Sequence, residues 1–254
     1  MNKILERFLE LYKTIKKLRD PNGCEWDSCQ TTKTLIPYLL EETYELIESI
    51  EKEEILGVKE ELGDLFLHLI FQAQLYEENG FFKLEEIFKN TDIKLKSRHP
   101  EIFSKNNTEK KLNWEEKKQK EKKRKNYLDG VPISLPALTR ASRIQEKAAQ
   151  VGFDWQDIDL IWNKVYEEIN ELKDAINNKN EKKIESELGD VLFTIVNIAR
   201  FLKIQPDSAL KSTIYKFERR FQNIEIELKK QNKTLSEASL EEMDDIWNRT
   251  KKNI

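Results

Sequence analysis

Glycine and proline are scarce in this sequence, with seven and six residues among 254. Folds built from many short strands need a turn residue every few positions, so this scarcity argues against an all-β architecture. Long apolar runs are absent too, because the most apolar stretch, residues 65–71, is short and contains His68. A membrane-spanning helix needs about 20 apolar residues, so we predict no membrane-embedded segment.

Cysteine and histidine are rare as well, with two residues of each. Their spacing does not match a zinc site, and we expect Cys24 and Cys29 to be reduced thiols without a role. Residues 1–7 contain no apolar signal core, so we expect the protein in the cytoplasm. The net charge of −3 gives no general attraction to nucleic acid or to a membrane. The basic cluster at 122–125 lacks interleaved aromatic residues, so we expect no nucleic-acid partner.

One four-residue motif occurs twice in the chain. Glu61-Leu62-Gly63-Asp64 recurs 126 positions later as Glu187-Leu188-Gly189-Asp190, and a Glu-x-x-Glu pair precedes each copy at the same distance. We interpret the sequence as a duplication. The predicted segments are a first repeat, a charged helix end with a linker, and a second repeat, at residues 1–118, 119–133 and 134–254.

Apolar residues at helical spacing account for most of the chain, and no segment alternates as a strand does. A loop is predicted at 18–27, and a solvated helix at 109–125. The fold class is therefore all-α, with two tandem repeats that each resemble a four-helix bundle. The predicted helices are 3–18, 35–54, 58–78, 84–97, 138–149, 158–176, 182–202, 206–230 and a last one opened by the capping box Ser239-x-x-Glu242.

The repeated acids have the spacing of a metal site. Residues three apart lie on one helix face, and a short loop makes the two helices of each repeat antiparallel neighbours. Four carboxylates then meet in each repeat, where each close pair repels by roughly 3 kcal/mol unless a cation is bound. Oxygen ligands alone favour Mg²⁺, or else Mn²⁺. The two sets are Glu42, Glu45, Glu61 and Asp64, and Glu168, Glu171, Glu187 and Asp190.

The alternative is that these acids only cover solvated helix faces, as charge-rich sequences often show. Their recurrence at one offset argues against it. The second acid-bearing helix of each repeat also has a glycine in its middle, Gly63 or Gly189, which lowers helix stability by about 1 kcal/mol relative to alanine and so argues against it too. We expect each glycine to let a neighbouring helix or a ligand come close.

Seven motifs together resemble the two-domain MazG nucleoside triphosphate pyrophosphohydrolases, over about residues 18–252. The resemblance implies an all-α, Mg²⁺-dependent, dimeric enzyme that cuts nucleoside triphosphates between the α and β phosphates. Glu25 departs from the pattern, since the family usually has proline there. The motifs are Leu18-Arg19-x-Pro21-x-Gly23-Cys24-x-Trp26-Asp27, Glu41-Glu42-Thr43-Tyr44-Glu45, Glu61-Leu62-Gly63-Asp64, Arg98-His99-Pro100, Leu135-Pro136-Ala137-Leu138, Val151-Gly152-Phe153-Asp154-Trp155 and Lys216-Phe217-Glu218-Arg219-Arg220-Phe221.

The two repeats differ in their basic residues. Lys164 and Lys183 each stand one helical turn before an acid of the second set, whereas the first repeat has Tyr38 and Gly57 at those positions. Lysines there can neutralise phosphate charge, although an ion pair with the acid four residues later is the alternative role. We predict that the second repeat is the main catalytic centre and that the first is structural or regulatory.

The resemblance places further residues at the nucleotide. Lys216 and Arg220 are expected at the phosphates, and Trp247, Lys118 and Trp114 are candidates to close over the nucleotide. Which glutamate acts as the base stays open. No set of base-reading side chains is evident, so we predict broad tolerance of ribo- and deoxyribonucleotides. A pyrophosphatase with narrow specificity and a non-catalytic partner-binding protein with relict acids remain alternatives.

Overall fold

The computed structural model describes residues 2–103 and 126–251, and all regular elements within these ranges are helices. This confirms the predicted all-α fold. None of the described helices combines the length and the apolar character needed to cross a membrane. In chain order the helices are α1 (Asn2–Arg19), α2 (Glu25–Cys29), α3 (Ile36–Glu51), α4 (Ile55–Glu78), α5 (Leu84–Arg98), α6 (Pro100–Phe103), α7 (Ala137–Gln150), α8 (Ile158–Asn177), α9 (Glu181–Phe201), α10 (Pro206–Lys230) and α11 (Leu240–Lys251).

The chain forms two compact units, whose described parts are residues 2–103 and 126–251. Each unit is built on one pair of neighbouring helices, α3 with α4 and α8 with α9. The connecting loops are also alike, because Glu53 and Lys179 occupy equivalent positions and both have a left-handed backbone, with φ of 58° and 52°. So short a connection makes the helices of each pair antiparallel, as the acid spacing requires.

The first unit has one core, in which α1 packs on α4. Its buried members are Ile15, Leu35, Ile70, Phe71 and Leu75. Burying such side chains contributes roughly 1.5–3 kcal/mol each. This core buries residues near the C-terminal end of α4. The turns that carry the acids lie nearer the N-terminal end of the same helix.

The second unit has two cores. Ile161, Val165 and Ile198 join α8 to α9. Ile224 and Ile246 belong to a separate cluster between α10 and α11, with a partly buried Trp247 packed against it. The α10–α11 hairpin therefore has an apolar core of its own.

The start of α11 forms as its sequence predicts. The Ser239 backbone N–H donates to the Glu242 carboxylate at 3.0 Å, and the Glu242 N–H donates to Ser239 Oγ at 3.2 Å. These reciprocal bonds satisfy two N–H groups that lack partners within the helix. The predicted capping box is thus confirmed.

Two short helices differ from the sequence interpretation. The stretch 18–27 was predicted to be a loop, but α2 begins within it at Glu25, and α6 follows His99 without having been predicted. Helices of one turn are too short to show apolar periodicity. The loop before α2 depends on Gly23, where a Cβ atom would lie 2.3 Å from the carbonyl oxygen of Leu18. The predicted helix at 109–125 lies outside the described residues.

The mid-helix glycines have open surroundings. Apart from its chain neighbours and the backbone of its own helix, a Cβ atom built at Gly63 or at Gly189 would have no described atom within 4 Å. Of the two expected neighbours, a helix or a ligand, no other described helix comes close to either glycine. Space beside the acids remains for a ligand.

We expect Gly63→Ala and Gly189→Ala each to raise the free energy of unfolding by about 0.5–1 kcal/mol. Alanine removes the conformational freedom of glycine from the unfolded chain, and its methyl group meets nothing in the folded one. Urea titration of the metal-free protein measures the change. A loss of stability at either position would contradict the open surroundings seen here.

Candidate metal and substrate site

The second repeat brings together three of the four acids that the helical spacing predicts to meet. Glu168 and Glu171 extend from α8 and Glu187 from α9, and each offers a carboxylate oxygen within 4.8 Å of the others. Asp190 is not part of this close group. It lies one turn further along α9 and lines a cavity together with Glu168.

Burial makes this cluster electrostatically costly. Glu168 and Glu187 are only 6% and 7% exposed, although both are charged residue types. Burial, followed by the charge of Glu171, raises the pKa of the Glu187 carboxyl above its ordinary value of 4.5. Three close carboxylates in such surroundings favour a bound proton or a bound cation.

The donor set fits a hard divalent metal ion. All ligand atoms in the group are carboxylate oxygens, which Mg²⁺ and Mn²⁺ prefer. None of the three described ligands is a thiolate or an imidazole, the softer ligands that favour other metals. The arrangement can therefore hold a metal ion of this class.

The two predicted lysines pair with the acids. Lys164 Nζ lies 2.8 Å from Glu168 and 2.9 Å from Glu167, and these contacts raise the pKa of Lys164. Lys183 Nζ lies 4.0 Å from Glu187. Ion pairing with these acids is the alternative role that the sequence indicated for the two lysines. It is compatible with a phosphate contact, because a lysine has three N–H donors.

The first repeat holds a matching but more exposed cluster. Oxygens of Glu42, Glu45 and Glu61 also lie within 4.8 Å of one another. The pKa of Glu42 is raised by burial and then by the charge of Asp64, and the pKa of Glu61 is raised by burial and then by Glu45. The acid geometry alone therefore does not separate the two repeats.

Aromatic rings occupy the first repeat beside its acids. Tyr38 lies edge-on to Trp26 at 5.5 Å and is stacked with His68 at 6.5 Å, measured between ring centroids. His68 is buried, and burial lowers its pKa. Thr194 stands at the equivalent position of the second repeat.

In the second repeat, Thr194 lines a cavity. The cavity has a volume of about 390 Å³, within the usual range for small-molecule sites. Sequence reasoning missed it, although the Val-Gly-Phe-Asp-Trp motif at 151–155 supplies part of its wall. Its lining residues are Leu128, Ile144, Gln145, Ala148, Phe153, Asp154, Trp155, Lys164, Glu168, Asp190, Phe193, Thr194, Asn197 and Arg200.

The remaining predicted residues are not brought against the acids by any described contact. Lys216 is exposed on α10, and the Arg220 guanidinium lies 5.3 Å from the centre of the Trp247 ring. The Arg220 Nε atom is buried without a hydrogen-bond partner. Lys118 and Trp114 lie outside the described residues.

Comparison with known proteins supports the resemblance that the motifs indicated. The sequence profile of the MazG nucleotide pyrophosphohydrolase domain matches residues 30–103 and 156–224, one segment in each repeat. The nucleoside triphosphate pyrophosphohydrolase/pyrophosphatase MazG of Thermotoga maritima is 42% identical over 246 residues, which cover 96% of this chain and 95% of the relative.

Two further relatives cover nearly the whole chain. The nucleoside triphosphate pyrophosphohydrolase of Escherichia coli K12 is 39% identical over 262 residues, which cover 99% of this chain and 98% of that protein. The uncharacterized protein YabN of Bacillus subtilis 168 is 41% identical and matches 93% of this chain but 50% of its own length. Both the matched domain and these full-length similarities assign the chain to the MazG family of nucleotide pyrophosphohydrolases.

Proposed function

We propose that this chain is a nucleoside triphosphate pyrophosphohydrolase that forms a nucleoside monophosphate and diphosphate from its substrate and water. The observation that carries the proposal is the group of three glutamate oxygens of the second repeat, within 4.8 Å of one another and next to a cavity lined by Lys164. The printed names of the Thermotoga and Escherichia relatives support the same reaction.

In this proposal, Glu168, Glu171 and Glu187 hold Mg²⁺ together with Asp190, and Mn²⁺ is an acceptable substitute. A magnesium ion bound there supplies Lewis-acid polarisation of phosphate oxygens and lowers the pKa of bound water. One of the three glutamates accepts the proton of the attacking water.

Cationic side chains neutralise the phosphates. Lys164 and Lys183 are already beside the acids and can donate N–H groups to phosphate oxygens. Lys216 and Arg220 are proposed as further phosphate ligands, and Trp247 and Lys118 as residues that close over the nucleotide. Charge on the leaving diphosphate requires several such donors.

The second repeat is proposed as the main catalytic centre. It has lysines at two positions where the first repeat has Tyr38 and Gly57. A side chain at Gly57 has little room, because its Cβ atom would lie 2.7 Å from Ser49 Oγ. The first repeat therefore has the acids without the adjoining cations, which suits a structural or regulatory role.

A homodimer is proposed from the apolar faces next to the acids. On α9, Leu188, Leu192 and Ile195 form an exposed stripe at helical spacing. The equivalent positions on α4 are equally exposed, so each repeat offers the same face. Exposed apolar stripes of this kind mark interaction surfaces. Light scattering of the purified protein measures the mass directly.

The product assay tests the reaction class and the proposed broad specificity together. The protein is incubated with each common ribo- and deoxyribonucleoside triphosphate, with Mg²⁺ or with chelator, and the products are separated by chromatography. Monophosphate and diphosphate formed only with metal are expected. Nucleoside diphosphate and phosphate would contradict the proposed bond, and turnover of one substrate alone would establish narrow specificity. No turnover, with stability still dependent on Mg²⁺, would favour a binding protein.

The raised pKa of Glu187 predicts a stability change with pH. The cost of charging this carboxyl in the folded protein is absent below its ordinary pKa of 4.5 and grows as the pH rises through the raised value. In chelator, Glu187→Gln is therefore expected to melt at a higher temperature than the wild type near pH 7 and at a similar temperature near pH 4.5. Thermal unfolding at several pH values measures the difference.

Two control experiments accompany this prediction. Saturating Mg²⁺ is expected to reverse the order, because bound metal stabilises the wild type more than the variant, whose second-repeat cluster has lost a charged oxygen. In chelator, Glu237→Gln is expected to melt at a lower temperature than the wild type near pH 7, because hydrogen bonds from Thr234 lower the pKa of Glu237. A Glu187→Gln melting temperature that follows the wild type at all pH values would contradict the prediction.

A further inference from the structure

The first repeat contains a buried histidine that has no hydrogen-bond partner among the described residues. His68 on α4 is 8% exposed, and its Nδ1 atom is buried without a partner. Its Nε2 atom lies 4.0 Å from a carboxylate oxygen of Glu42, which is beyond hydrogen-bond distance. A buried imidazole without partners destabilises the folded protein, so its presence needs a reason.

The ring of His68 is held beside the acid cluster of the first repeat. Tyr38 of α3 is stacked with it, with 6.5 Å between the ring centroids and 7° between the ring planes. His68 follows Glu61 by seven residues, which is about two helical turns, so both lie on the same face of α4. The 4.0 Å between Nε2 and Glu42 is shorter than the 4.8 Å within which the oxygens of the three glutamates lie. Nε2 is therefore close enough to bind the same ion as Glu42.

The acids of this cluster have no lysine or arginine partner among the described contacts, whereas Lys164 and Lys183 pair with acids of the second repeat. Three carboxylates without a cationic neighbour favour a bound metal ion. A nearby nitrogen changes the preferred ion, because imidazole binds divalent transition metals well and Mg²⁺ prefers oxygen. Thr194, at the position equivalent to His68, offers no such nitrogen.

We propose that His68 and the three glutamates form a second metal site, which selects a divalent transition metal ion over Mg²⁺. Glu42, Glu45 and Glu61 supply carboxylate oxygens, and His68 supplies Nε2 as a nitrogen ligand. The ligand set differs from that of the proposed catalytic site, so the two repeats take different ions from the same mixture. The first repeat thereby has a metal-dependent structural role that is separate from hydrolysis in the second.

Calorimetric titration of the metal-free, full-length protein with Co²⁺ or with Mg²⁺ tests this selectivity. At one site Co²⁺ is expected to bind at least about 10-fold more tightly than Mg²⁺, because of the nitrogen ligand. His68→Gln is expected to weaken that Co²⁺ binding by about 10- to 100-fold, at least the loss seen when a residue supporting a ligand is removed. Mg²⁺ binding is expected to change by less than about 3-fold, because Mg²⁺ uses the oxygen ligands.

His99 provides the matched control, because it is the other histidine of the sequence. Its Nδ1 atom already lies 3.0 Å from a carboxylate oxygen of Glu101. His99→Gln is expected to keep the wild-type affinity for Co²⁺, and melting temperatures in chelator show that both variants are folded. An equal loss of Co²⁺ affinity in the two variants would contradict a site at His68.

Pulsed EPR of the protein at saturating Mn²⁺ separates a ligand from a side chain that only shapes the site. A coordinated imidazole gives a nitrogen hyperfine coupling, which is expected in the wild type and in His99→Gln but not in His68→Gln. Absence of this coupling in the wild type would overturn the proposal, because His68 would then only support Glu42. Equal Co²⁺ affinity in the wild type and His68→Gln would overturn it as well. Neither measurement requires nucleotide turnover, so both are independent of the proposed function.

Discussion

Glu187→Gln is expected to lower kcat/KM for nucleoside triphosphates by at least about 100-fold, the range seen when one electrostatic group of a transition state is removed. The substitution keeps the shape of the side chain but removes a charged oxygen from the three-glutamate group. Steady-state assays of monophosphate formation at saturating Mg²⁺ measure the loss.

The duplication supplies the control for this experiment, because Glu61 has the same position in the first repeat. Its oxygen lies in the same kind of cluster, and its pKa is also raised. Glu61→Gln is expected to change kcat/KM by less than about 3-fold while reducing the stabilisation that Mg²⁺ confers, since binding to the folded state alone stabilises it. Loss of activity only in Glu61→Gln would contradict the assignment of the catalytic centre to the second repeat.

The sequence could predict the parts of the fold that follow from regular spacing. Apolar periodicity placed the long helices to within a few residues, and the recurrence of Glu61 and Glu187 in one motif indicated that two acid clusters form. Helix geometry fixes the relative direction of residues three apart, so this inference needs no tertiary information. One-turn helices such as α2 have no such periodicity and were missed.

The cavity could not be predicted, because it depends on how helices pack. Gln145 lies on α7, whereas its hydrogen-bond partner Phe193 lies on α9, and no sequence pattern relates them. A glutamine in an amphipathic helix is usually solvated. Only its burial, together with the missing partner of Oε1, distinguishes it.

What lies beside the glycines could not be predicted for a related reason. A small residue in a helix interior indicates a close approach, but the sequence does not say by what. In the described chain no helix takes that place at Gly189. The equivalence of the repeats is also incomplete, since Glu168 is buried and its counterpart Glu42 is only partly buried, although the spacing of the acids is the same.

Lys164→Met is expected to lower kcat/KM by about 100- to 1,000-fold, as removal of a donor to a developing phosphate charge does. Lys164 both contacts an acid of the cluster, Glu168 at 2.8 Å, and lines the cavity from the first turns of α8. If it serves only to position Glu168 through the ion pair, its loss changes Mg²⁺ binding alone and kcat recovers at high Mg²⁺. If it binds phosphate, kcat stays low when the metal is saturating.

Lys173→Met controls for charge, because Lys173 lies nine residues further along the same helix and faces the opposite side. Recovery of kcat at high Mg²⁺ would leave Lys164 with the acid alone and would remove it from the phosphate site.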